Sequence, residues 1–312
     1  MRILVTGGAG FIGSHVTDGF VALGAEVAVF DNLSTGRRDF VHPNARFLEG
    51  DLTRPDEIER CIAEFRPEVV DHHAAQIDVR RSLEDPIHDA RTNVLGALAL
   101  LQSCARHGVK KLIYSSTGGA IYGEGRELPA SETHPLRPES PYGVSKCALE
   151  LYLPIWKAVH GIDYTTLRYP NIYGPRQNPH GEAGVNAIFI GLMLAGQRPR
   201  IFGDGEQVRD YVYVGDVVAA NQMALSKGSG ETMNLGTGVG ISVNDIVREL
   251  NQVLGTAIEP IYEPPRPGEV RRIYLDASRA RRVLGWSPQV SFAEGLRITV
   301  ADHRARLAPP AS

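Results

Sequence analysis

Short apolar runs rich in β-branched residues alternate along this chain with longer segments whose apolar positions recur every three or four residues. The short runs Arg2–Thr6, Glu26–Phe30, Arg46–Glu49, Glu68–His72, Lys110–Ser115 and Asp163–Tyr169 read as buried strands. Between them the spacing predicts helices over Ser14–Leu23, from near Pro55, over Asn93–His107 and over Pro141–Val159. Gly24 and Gly108 stand where a glycine ends a helix, and Ser140-Pro141 offers an N-cap followed by a first-turn proline. Strands and helices alternating at this interval predict an α/β fold, a doubly wound parallel sheet covered on both faces.

After residue 170 the texture changes. Pro/Gly-rich loops surround shorter helical segments near 185–195, 216–226, 243–254 and 292–306, and a late strand at Thr232–Leu235 reads as returning to the sheet. The expected organisation is a first domain over 1–169 and a smaller, interleaved C-terminal lobe over 170–312. The 312 residues are 43% hydrophobic and 22% charged, enough apolar surface for a large core. A net charge of −3 argues against nucleic acid or an acidic membrane as partner. Cys61, Cys104 and Cys147 are far apart and no histidine is spaced for zinc, so neither a disulfide framework nor a metal is expected. No signal segment precedes the first strand and no run approaches the ~20 apolar residues of a membrane span. The expectation is a soluble cytoplasmic protein.

The first strand leads straight into Thr6-Gly7-Gly8-Ala9-Gly10-Phe11-Ile12-Gly13. Glycine-rich turns are common, but this one follows a strand and opens a helix, the context in which Gly7, Gly10 and Gly13 make a Rossmann-type dinucleotide turn. The tight turn and close backbone approach seat a pyrophosphate against free N–H groups at the helix N-terminus. Asp31 ends the second strand 18 residues after Gly13, where a carboxylate holds ribose hydroxyls and repels a 2′-phosphate. The cofactor expected is NAD rather than NADP, with Arg37 and Arg38 nearby as the feature that pulls the other way.

Tyr142-Gly143-Val144-Ser145-Lys146 places a phenol and an ammonium four residues apart on one helix face. A tyrosine with an ordinary pKa of ~10 is a poor base, and an adjacent cation favours its phenolate. That spacing alone is usually two surface residues. Ser115-Ser116-Thr117 ends a sheet strand at the edge where ligands bind in such folds, which gives the pair a hydroxyl companion.

Taken in order, the glycine turn, Asp31, Asp51-Leu52, His73-Ala74-Ala75-Gln76, Asn93, Ser115-Ser116-Thr117, Tyr142 with Lys146, and Arg168-Tyr169-Pro170-Asn171 resemble the extended short-chain dehydrogenase/reductases. Within these the chain is most similar to the nucleotide-sugar epimerases and dehydratases of the UDP-glucose 4-epimerase kind, over roughly residues 1 to 306. The resemblance implies that Tyr142 takes the sugar 4-hydroxyl proton as hydride leaves C4 for a tightly bound NAD. Lys146 would tune the tyrosine and hold the nicotinamide ribose, and Thr117 would bond the reacting hydroxyl. Phe11, Ile12, Asn32, Asp51, Leu52, Ala74, Ala75, Gln76, Asn93, Ser115 and Pro170 would complete the cofactor pocket.

On the substrate side the resemblance implies a UDP-sugar partner. Asn171 would reach its diphosphate, Val185 and Asn186 would open a helix at its phosphate or uracil, and Phe202 would face uracil. Arg209 and Tyr211 would form a diphosphate-binding stretch, with Arg266 as a second phosphate arginine and Glu269 as a ribose carboxylate. Two arginines on separate loops suit a diphosphate, which takes bidentate donors. Relatives also dimerise through two long central helices, which residues 88–107 and 141–159 would supply here.

Thr117 is followed by Gly118-Gly119-Ala120, with none of the acids that dehydratases place there. The simplest expected reaction is therefore 4-epimerisation of UDP-glucose and UDP-galactose. Alternatives are a UDP-N-acetylhexosamine, a UDP-uronate or another nucleotide sugar, with Ile273 at the position of the family's size gate, and an NAD-sensing protein without catalysis. His72 reads as a core histidine; His73, where relatives carry an apolar residue, has no sequence-level explanation.

Overall fold

The protein, described here from a computed structural model over residues 1–179, 184–266 and 270–307, is organised by one seven-stranded parallel sheet. Its strands are β1 (Arg2–Thr6), β2 (Glu26–Asp31), β3 (Arg46–Glu49), β4 (Val69–His72), β5 (Lys111–Thr117), β6 (Asp163–Tyr169) and, from far downstream, β11 (Glu231–Asn234). Their order is β11-β6-β5-β4-β1-β2-β3. The strand order reverses between β1 and β4, and such a switch point opens a crevice at the strands' carboxyl ends.

Helices cover both faces because each presents an apolar stripe. On one side α2 (Pro55–Phe65), α5 (Ala97–His107) and α6 (Pro141–His160) bury Ile58, Ile62, Leu100, Leu101, Leu149 and Leu153 against Leu4, Val70 and Leu112 of the sheet. On the other, α1 (Phe11–Ala22), α8 (Val214–Ala224) and α10 (Ser278–Leu284) bury Val16, Phe20, Val217 and Leu284 against Ile3, Val5 and Ile113. Two short helices, α3 (Val79–Glu84) and α4 (Pro86–Ala90), lead through a π-helical turn over Arg91–Gly96 into α5.

Beyond the sheet a separate core joins α7 (Val185–Leu194), α9 (Val243–Leu254) and α11 (Phe292–Leu307) around Tyr173, Tyr211, Phe189 and Leu296. Short strands stitch this lobe together. β7 (Asn171–Tyr173) pairs with β10 (Tyr211–Tyr213), β8 (Arg200–Phe202) with β13 (Ile261–Glu263), and β9 (Val208–Arg209) with both β12 (Ile241–Ser242) and β14 (Arg272–Ile273).

The fold class follows the sequence reading, as does the return of a late strand: β11 pairs with β6, Thr232 opposite Thr166. Boundaries moved where backbone geometry overrides periodicity. The first helix starts at Phe11 rather than Ser14, because Gly10 caps it directly out of the turn. The helix read from Asn93 is an α-helix only from Ala97, since Asn93 lies inside the π turn. β5 runs on to Thr117, so the hydroxyl trio belongs to the strand itself. Among the described residues no helix is long and apolar enough to cross a membrane.

Candidate active site

The two strand ends at the switch point are laced together. Thr6 carbonyl oxygen accepts the His73 N–H at 3.1 Å, and Thr6 Oγ1 accepts that of Ala74 at 3.2 Å. Gly7 holds φ +69°, and a Cβ there would stand 2.6 Å from the Ala74 nitrogen; one on Gly13 would stand 2.3 Å from the Gly7 carbonyl oxygen. Only glycine fits at either point. Gly10 is the N-cap of α1 and provides no side-chain cap, which leaves the first-turn N–H groups suited to an anion. This backbone cradle fits a dinucleotide's pyrophosphate.

Asp31 closes the cradle from β2. Its Oδ2 accepts the Ala9 N–H at 3.0 Å and its Oδ1 the Leu33 N–H at 2.8 Å. Burial raises its pKa, opposed by those two donors. The carboxylate is thus part of the turn's own structure. Asn32 Nδ2 donates to Asp51 Oδ2 at 2.8 Å, and the neighbouring Leu52 is buried. Across the crevice Asn93 Oδ1 accepts the Gln76 N–H and Asn93 Nδ2 donates to the Gln76 carbonyl oxygen, both at 2.8 Å, which fixes the Ala74-Ala75-Gln76 wall.

Tyr142 and Lys146 stand beside that wall. Ser140 Oγ accepts the Gly143 N–H at 3.1 Å, starting α6 so that Tyr142 sits in its first turn and Lys146 one turn on. The Thr117 side chain, at the end of β5, stands by the Tyr142 hydroxyl and favours its ionised form. Lys146 Nζ lies 6.0 Å from the Tyr142 ring centroid and donates to the Ser115 carbonyl oxygen at 2.9 Å. Ser115 Oγ in turn donates to the His72 carbonyl oxygen at 2.9 Å. Burial lowers the Lys146 ammonium to a pKa of about 8, with Asp89 and Glu150 opposing. Burial raises the Tyr142 phenol above its ordinary range, Asp89 adds to that, and Thr117 opposes it.

A small cavity opens next to Thr117, lined by Gly118, Gly119, Pro170, Asn171, Arg209 and Ile273. A Cβ on Gly119 would lie 3.6 Å from Asn171 Oδ1 and 3.8 Å from Thr117 Oγ1, so the turn without a side chain leaves room between them. The cavity also touches Asp210, the one carboxylate among the described residues of its lining, but that carboxylate is occupied. It accepts from Thr237 N and Oγ1, Gly238 N and Leu275 N, holding three loops around the cavity.

A sequence model of the NAD dependent epimerase/dehydratase family matches residues 3–236. The chain belongs to this family. It is 45% identical over 310 residues to a UDP-glucose 4-epimerase of Mycolicibacterium smegmatis, covering 97% of this chain and 99% of the relative. Its structure superposes with a TM-score of 0.97 on a UDP-glucose 4-epimerase of Thermotoga maritima solved with UDP-glucose, at 50% identity over 99% of this chain and all of that one. A UDP-glucose 4-epimerase of Thermus thermophilus in complex with NAD gives a TM-score of 0.94 at 46% identity, over 98% and 100% of the two chains.

In this family member the remaining expected substrate residues spread over the second lobe. Val185 and Asn186 begin α7, and the buried Asn186 leaves its Oδ1 without a hydrogen-bond partner among the described residues. Tyr211 is buried beside Phe292. Arg209 Nη1 donates to the Val208 carbonyl oxygen at 3.0 Å, and Arg266 stacks on the Phe202 ring at 3.6 Å. The two arginines thus stand on different supports, one on the cavity edge and one over an aromatic ring. Glu269 lies outside the described residues.

Four structural features of this epimerase/dehydratase fold escaped the sequence reading. Asp89 and Asp210 are buried carboxylates that organise loops. Glu150 and Arg168 form a buried ion pair, Arg168 Nη2 to Glu150 Oε2 at 2.5 Å, which Ser116 and Tyr122 extend on either side. His73 Nε2 lies 2.9 Å from Oδ1 of the fully buried Asp71, with its ring stacked on Tyr169. A charged residue on an otherwise apolar stripe was the available signal: Asp89, Asn93, Ala97 and Leu100 follow one another on the inner side of a helix. His72 sits in the core, its Nδ1 2.7 Å from Thr6 Oγ1.

Proposed function

We propose that the protein interconverts UDP-glucose and UDP-galactose by inverting the sugar at C4, with NAD held in the glycine cradle. The observation that carries this reading is Tyr142 with Thr117 and Lys146 beside it, next to a cavity lined by Gly118 and Gly119 whose carboxylate, Asp210, is already engaged. NAD held by the glycine cradle and Asp31 would supply the hydride acceptor and then the hydride donor at C4. Tyr142 removes the 4-hydroxyl proton and later returns it, while Thr117 orients that hydroxyl and Lys146 favours the phenolate. Elimination would need a further acid and base, and Asp210 is fully engaged by its four donors. Without elimination, the arrangement suits return of hydride to the other face of a 4-keto sugar.

The sheet and Pro170 just after it serve the cofactor, and the segment from Asn171 serves the nucleotide sugar through Asn171, Asn186, Phe202, Arg209, Tyr211, Arg266 and Glu269. A second substrate, UDP-N-acetylhexosamine, is favoured by one feature. Ile273 lines the cavity yet packs back into Ile121, Tyr122 and Leu275, leaving less bulk toward the sugar than a tyrosine would.

The protein works as a cytoplasmic homodimer in this reading. Its three thiols are unpaired. Ile87, Leu95, Val144, Leu151, Ile155 and Val159 form exposed apolar positions along α4 to α6, with Leu151 70% exposed, and a second copy would cover them. The functional assignment is tested with UDP-galactose deuterated at C4: the UDP-glucose formed should retain deuterium at C4. Loss of the label to water would refute hydride return.

A further inference from the structure

Asp89, at the end of α4, has no part in the chemistry described so far, yet it is completely buried. Its Oδ1 accepts from Gln76 Nε2 and from Asn93 Nδ2, each at 3.0 Å, and its Oδ2 accepts from Ser145 Oγ at 2.6 Å. Gln76 and Asn93 make the wall across from the glycine turn. Ser145 lies between Tyr142 and Lys146 on α6. One carboxylate therefore joins the cofactor wall to the helix that carries the reactive pair.

The π turn over Arg91–Gly96 follows immediately and keeps Asn93 within reach of both Asp89 and the Gln76 backbone. All three donors to Asp89 are neutral, so its hydrogen bonds satisfy the oxygens without cancelling the charge. Holding a helix against a loop needs only apolar contacts, and a buried carboxylate is a costly alternative. Its position next to a titrating pair gives the charge a use.

We infer that Asp89 is a positioning residue for proton transfer: it ties α6 to the cofactor wall and sets the electrostatic field at Tyr142 and Lys146. The inference rests on Tyr142 being the base. Tyr142 and Lys146 are faced by Asp89 from α4, by Thr117, Ser115 and Tyr114 from β5, by His72 from β4, and by Glu150 on their own helix, itself matched by Arg168 from β6. Asp89 is thus a carboxylate in this shell without a guanidinium among its hydrogen-bond donors. Its charge raises the proton affinity of both members of the pair.

The test compares the NAD-bound protein with its Asp89→Asn and Ser145→Ala variants. Near-ultraviolet phenolate absorbance, taken as the difference from the same protein carrying Tyr142→Phe, reports the Tyr142 titration without any sugar. Asp89→Asn keeps the size and removes the charge, so the midpoint should fall by roughly half a pH unit or more. Its kcat for UDP-galactose should drop on the order of tenfold with KM changed less than about threefold, since an interaction of the reacting groups is lost rather than substrate binding. Ser145→Ala keeps the charge and removes one tie, so kcat should fall while the midpoint stays. An unmoved midpoint in Asp89→Asn overturns the inference, as does an unchanged kcat in Ser145→Ala, which decides the matter should Asp89→Asn not fold. A wild-type protein that converts no sugar would instead refute the assigned reaction, and the spectral midpoint would still report on Asp89.

Discussion

The Thr117 side chain at the end of β5 stands by the Tyr142 phenol in the first turn of α6. Thr117 favours the phenolate against the burial that opposes it, as the proposed role of Tyr142 as base requires. Thr117→Ala should lower kcat by about 10- to 100-fold, the worth of a hydrogen bond to a charged group, with bound NAD retained. Thr117→Ser should restore most of it. Tyr142→Phe should cost roughly 10²- to 10⁴-fold or more in kcat. Survival of turnover in Tyr142→Phe would remove the phenol from the mechanism.

In the proposed site Asp31 would have two duties, since the oxygens assigned to the ribose already take the Ala9 and Leu33 N–H groups. Asp31→Ala should therefore weaken NAD by roughly 10- to 100-fold and narrow the preference over NADP. Arg37 and Arg38, already paired with Asp39 and stacked on Phe47, are then the nearest cations on that loop. Titration with both cofactors after stripping checks this. A variant that still binds NAD at wild-type affinity would contradict the role.

Ile273 lines the cavity opposite Gly118 and Gly119. Ile273→Ala should raise kcat/KM for UDP-N-acetylgalactosamine relative to UDP-galactose by about tenfold, the scale expected for a methylene or two in an apolar pocket. Ile273→Tyr should lower that ratio. A ratio indifferent to both changes would place the 2-substituent elsewhere.

His72 makes folding sensitive to acid. Burial lowers its pKa from the ordinary 6.5 to about 3, with the Lys146 charge contributing. Between those values the unfolded chain binds more protons than the folded one. Stability is therefore complete above about 6.5 and is lost as pH falls toward 3, at about 1.4 kcal/mol per pH unit from this group. Urea denaturation from pH 7 to 5 should show the slope, and His72→Asn should flatten it.

What could be read from the sequence was local or periodic. The glycine turn, the Ser140 cap, Tyr142 with Lys146, and the strand alternation each lie within a few residues, and the sheet and its late return strand follow from them. Ionic and polar ties between distant segments were not legible. Glu150 meets Arg168 only once α6 packs on β6, and Asp89 meets Ser145 only once α4 meets α6. His73, puzzling as a sequence, stands just past β4 with its Nε2 2.9 Å from Asp71 Oδ1 and its ring stacked on Tyr169. The start of α1 at Phe11 was missed because Gly10, without a side-chain cap, gives none of the usual N-cap signals.

The central claim is that the cofactor seated by Gly7, Gly10 and Gly13 is reduced and restored within each turnover. The most direct measurement is conversion of UDP-galactose by the protein as purified, with its NAD content determined and no cofactor added. The account predicts approach to one UDP-glucose/UDP-galactose ratio from either sugar, with no net NADH formed. Absence of conversion by protein verified to carry NAD would contradict it.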